Sequence, residues 1–109
     1  MTRLPAALEV AGVVRATAAA GGFAMVLHKG EPDAGVILVV GVDREGLRTL
    51  YERMPDPAGP RRWTAVRTQT AEARREFDEY LDRRKLQDPD LWLVELTIAD
   101  VERSILNAG

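Results

Sequence analysis

Leu4, Leu8, Ala11 and Val14 recur at three- and four-residue spacing near the start of the chain. That period puts them on one face of a helix, from about Pro5 to Ala20, with Gly21-Gly22 as its stop. Gly12 inside it costs about 1 kcal/mol relative to Ala, which predicts close packing against a strand there. The pattern then shortens. Phe23 to His28 and Gly35 to Val42 are apolar runs of strand length, joined by Glu31-Pro32-Asp33-Ala34-Gly35, whose Pro, Asp and Gly suit a hairpin loop. Asp43-Arg44-Glu45-Gly46 makes a second polar turn into Leu47 to Arg53, so these three strands are expected to pair as an antiparallel meander. Val36 to Val40 are apolar on both faces, which marks the second strand as central.

Pro55, Pro57, Gly59 and Pro60 read as a stiff loop, followed by a fourth strand over Arg61 to Thr68. A second helix begins with Thr70 as N-cap and Glu72 in its first turn. Ala73, Phe77, Tyr80, Leu81 and the stem of Arg84 form its buried stripe. Arg74 with Asp78, Arg75 with Glu79 and Glu79 with Arg83 are spaced to pair along its outer face. Leu91 to Thr97 is a fifth strand with Trp92, Val94, Leu96 and Ile98 on one side. Thr97 and Asp100 have capping-box spacing, so a short helix to Asn107 should bury Val101, Ile105 and Leu106. The expected class is α+β: helix, four-stranded antiparallel meander, helix, fifth strand and short C-terminal helix, in one domain spanning residues 1–109.

Composition narrows the chemistry. With no Cys, disulfides, thiolate catalysis and Cys-based metal sites are excluded, and a reducing cytoplasm is the expected compartment. No apolar run reaches the ~20 residues needed to span a bilayer, so no membrane partner is expected. Net charge is -2, unevenly spread: residues 61–85 hold eight basic and five acidic side chains, residues 86–109 one basic and five acidic.

The stretches GEPDAGVILV at 30–39, RRW at 61–63 and above all DPDLWLVEL at 88–96 resemble the short bacterial proteins of the domain of unknown function 1491 family. The resemblance covers nearly the whole chain and implies a free-standing domain. It carries no activity, cofactor or catalytic residue with it.

Asp33, Asp88 and Asp90 lie in two loops that could meet around a divalent cation and support phosphoester hydrolysis, yet each also fits its turn. His28 stands alone, which excludes two- and three-imidazole metal sites, and Ser104 lacks a GxSxG setting. No glycine-rich phosphate loop opens a helix. Arg61, Arg62 and Trp63, with Arg67 nearby, could contact phosphate and stack a base, but the pI of 5.4 and the carboxylates of the second helix argue against nucleic acid. The expectation is a binding or accessory domain with no catalytic residues, metal or cofactor. Its one foreseeable partner is a second copy, a homodimer that follows if both helices cover the same sheet face and leave the other bare.

Overall fold

In the computed structural model, which describes residues 4–106, helix α1 spans Ala6–Ala19 and strand β1 Phe23–His28. Strands β2, β3 and β4 follow at Ile37–Val42, Arg48–Asp56 and Gly59–Thr68. Helix α2 covers Arg74–Gln87, strand β5 Trp92–Thr97, and a π-helical turn Glu102–Leu106 closes the described chain. Asn107, where the sequence ends its last helix, lies outside the described residues. The class is α+β as expected, but the sheet is mixed, with strand order β1-β5-β2-β3-β4.

The four-stranded meander is therefore corrected to three strands. β2, β3 and β4 pair antiparallel in sequence order, whereas β5 enters between β1 and β2, antiparallel to the first and parallel to the second. Glu31 to Gly35 explains why. Instead of closing a hairpin, the loop offers the Asp33 and Pro32 carbonyls to the Ala6 and Ala7 amides. The first turn of α1 has no side-chain cap, so these carbonyls satisfy amides that every helix start leaves unpaired. Held there, the loop spans the width of a strand, and the Glu31 amide donates to the Asp90 carbonyl just before β5.

β5 fits the gap because both of its faces are apolar. Trp92, Val94 and Leu96 join Ile37, Val39 and Tyr51 under Ala6 and Val10 of α1. Leu91 and Leu93 join Leu38, Val40 and Leu50 under Phe77 and Leu81 of α2. Neighbouring residues of a strand point to opposite faces, so α1 and α2 cover opposite sides of the sheet. Each side chain buried this fully contributes on the order of 1.5–3 kcal/mol. The condition for a bare face, both helices on one side of the sheet, is thus not met.

Smaller expectations also shift. Arg74 is the first helical residue of α2, with Ala73 at its N-cap position, and Thr70 accepts the Ala73 amide one turn earlier. Asp78 pairs with Arg48 of β3 at 2.8 Å and Asp82 with Lys85, so the foreseen pairs along α2 are not those formed among the described residues. Asp100 caps the final turn, accepting the Arg103 amide, while Val101, Ile105 and Leu106, expected to be buried, are half-buried against the α1-side core. A Cβ on Gly12 would meet nothing within 4 Å, so no strand presses against it.

Candidate interaction surface

β1 is the outermost strand on its side of the sheet, and its inner edge is fully used by β5 in the register Phe23–Thr97, Ala24–Leu96, Met25–Glu95 and Val26–Val94. Gly21, at φ 85°, lets the chain turn out of α1 and into the strand. At the other end the register shifts after Val26, and the His28 Nδ1–H donates to the Leu91 carbonyl at 2.8 Å. The lone histidine therefore anchors the strand end.

Among the described residues no other strand lies along the outer edge of β1, and its side chains are unusually apolar for that position. Phe23 is 60% exposed, Met25 46%, Val26 41% and Leu27 40%. Pairing with Thr97 and Glu95 puts Phe23 and Met25 on the α2 side of the sheet, but α2 packs over Leu38, Val40 and Leu50 and does not reach them. No charged residue occurs between Gly21 and Leu27. Exposed edge strands usually carry charge, proline or a covering element, because their unpaired N–H and C=O groups recruit other strands. β4, the opposite edge, follows that rule with Arg61, Arg62 and Arg67. β1 does not. The sequence signal was present in its alternation-free apolar run, but the expected meander, with this strand at its end, did not say whether the fifth strand would cover that edge.

The two loops that carry Asp33, Asp88 and Asp90 meet where the Glu31 amide donates to the Asp90 carbonyl. Asp88 Oδ1 accepts the Asp90 amide in an Asx-turn. Asp33 borders a cleft of about 280 Å³ with Glu9 and Arg53, whose charges are paired with each other. Among the described residues no three His, Cys, Asp or Glu side chains gather as a metal would need. Arg62 and Trp63 are adjacent on β4 and so face opposite ways. Arg62 meets Asp56 at 3.6 Å, and Arg53 lies 4.9 Å from the centroid of the Trp63 ring, which packs against the α1-side core. Arg61 is exposed. No described helix is long and apolar enough to cross a membrane.

Two helices on opposite faces of a five-stranded mixed sheet, with one bare apolar edge, define a small α+β protein with an open pairing strand. The chain belongs to the protein family of unknown function DUF1491, whose model matches residues 4–106. It is similar to a DUF1491 family protein of Caulobacter crescentus solved by crystallography, at 35% identity and TM-score 0.78 over 90% of this chain and 91% of that one. An NMR structure of a DUF1491 family protein from the same species gives 34% identity and TM-score 0.78, covering 98% and 96%. The solution structure of protein Atu0922 from A. tumefaciens is 29% identical, with TM-score 0.77 over 98% and 96%. No curated protein matches the chain.

Proposed function

We propose that this is a non-catalytic, cytoplasmic binding domain that works through the outer edge of β1, and that its partner there is a second copy of itself. The observation that carries this reading is the exposure of Phe23, Met25, Val26 and Leu27 on a strand whose outer edge is open. Antiparallel pairing of two β1 strands about a two-fold axis would join the two sheets and lay each copy's Phe23 and Met25 against the other's. The uncharged stretch from Gly21 to Leu27 makes that self-pairing free of like-charge repulsion. The place of Asp88 in its turn, of His28 at the end of β1 and of Trp63 beneath Arg53 supports a reading without catalysis.

Four partly exposed side chains make a patch on the order of a few hundred Å², below the roughly 800 Å² per partner of a standard interface. The pairing is therefore expected to be reversible. Sedimentation equilibrium across the micromolar range tests it. The expected result is a concentration-dependent mass rising toward twice the 12.0 kDa monomer, abolished by Phe23→Arg with Met25→Lys at unchanged thermal stability. A monomer at every concentration, or a dimer indifferent to both substitutions, defeats the proposal.

A further inference from the structure

At the opposite edge of the sheet, α2 places Tyr80, Arg83 and Arg84 at i, i+3 and i+4, a spacing that brings them to one side of the helix. β4 adds Arg67, whose pairing with Leu50 directs it to the same sheet face as α2. The guanidinium carbons of Arg67, Arg83 and Arg84 lie 4.0, 5.8 and 5.9 Å from the centroid of the Tyr80 ring.

Among the described residues one of these charges is neutralised, that of Arg84. Arg84 grips Glu52 with both terminal nitrogens, at 2.7 and 3.1 Å, and also donates to the Tyr80 hydroxyl at 3.2 Å. That hydroxyl is thus an acceptor toward Arg84 and keeps its own hydrogen to donate elsewhere. No carboxylate of the described residues pairs with Arg67 or Arg83. Both are exposed, and the face of a tyrosine ring returns only about 0.5–1 kcal/mol to a solvated cation. Two like charges are left converging on one ring.

We propose that Arg67, Arg83 and the Tyr80 hydroxyl form a binding site for the phosphate group of a small molecule. A phosphate has three free oxygens, enough to accept from two guanidinium forks and a phenol at once, where a carboxylate has two. Glu52 keeps Arg84 in place and leaves the outer cations free for the ligand. The site is independent of the β1 surface, because β4 and β1 are the two far edges of the sheet.

The test is an NMR titration of amide shifts with inorganic phosphate, pyrophosphate and acetate at constant ionic strength. Phosphate and pyrophosphate should saturate shifts around Arg67, Tyr80 and Arg83, and acetate should bind at least about tenfold more weakly. Arg67→Gln with Arg83→Gln should lose about tenfold or more in affinity, the scale of one charge-assisted hydrogen bond, with the thermal midpoint retained. Arg67→Lys with Arg83→Lys should lie between, since charge remains without the planar fork. If phosphate shifts are unsaturable, match those of acetate or survive the Gln substitutions, the site does not exist. Binding of single-stranded nucleic acid without response to either phosphate probe would likewise overturn it. Phosphate binding outside this cluster would do the same.

Discussion

Trp92 donates its indole N–H to the carbonyl oxygen of Glu31 at 2.8 Å, so the largest side chain of β5 fastens the loop that follows β1. Trp92 is 5% exposed among Ile37, Val94 and Leu96, which makes it both a core residue and a clasp. Trp92→Ala is expected to cost about 3–5 kcal/mol and to threaten folding. Trp92→Phe keeps most of the ring volume and removes the donor, so about 1–2 kcal/mol should be lost. Urea denaturation measures both. If the Phe variant is as stable as the parent, the hydrogen bond contributes nothing.

Glycines give a contrasting pair. Gly12 has open space where a Cβ would sit in mid-helix, so Gly12→Ala should raise stability by about 0.5–1 kcal/mol through helix propensity alone. Gly30 is the reverse case. A Cβ there would collide with the Asp90 carbonyl and the Leu91 backbone, so Gly30→Ala should push the loop from β5 and destabilise by more than the first substitution gains. Thermal unfolding of the two variants should move in opposite directions, and equal shifts would remove the distinction.

Most elements were legible because their side chains repeat at the period of the backbone. Phe77 and Leu81 on α2, and Trp92, Val94 and Leu96 on β5, were foreseen as buried and are. The neighbour of β1 was not legible, because strand pairing is decided at a distance. Pro32 and Asp33 look like hairpin residues, yet their carbonyls serve α1, a use that local turn chemistry cannot reveal. β2 and β5 both place apolar side chains on two faces, and nothing in either run says which strands flank it. The same ambiguity hid the open surface: an end strand of a meander can still be covered by a fifth strand, and only the entry of β5 between β1 and β2 leaves the outer edge of Phe23 to Leu27 open. Arg84 was visible only as a helix stem, since its partner Glu52 lies 32 residues away on β3.

Tyr51 supplies a prediction about pH. Its side chain is 5% exposed, and its hydroxyl donates to Glu102 Oε2 at 3.1 Å. Burial first, then the hydrogen bond to Glu102 and the negative charges of Glu102 and Asp100, push the phenol up from 10.0 to about 12. An unfolded chain releases this proton near pH 10 while the folded one retains it, so the folded state holds more protons between the two values. Stability from this group is complete below pH 10 and declines as pH rises toward 12, by on the order of 2–3 kcal/mol in all. Tyr51→Phe should start about 1 kcal/mol less stable at neutral pH, for the lost hydrogen bond, and be spared the alkaline decline that Tyr51 causes. The two stability curves, followed by denaturant unfolding from pH 8 to pH 12, should converge and then cross. Parallel curves across that window would show that the phenol keeps an ordinary pKa and that Glu102 and Asp100 do not act on it.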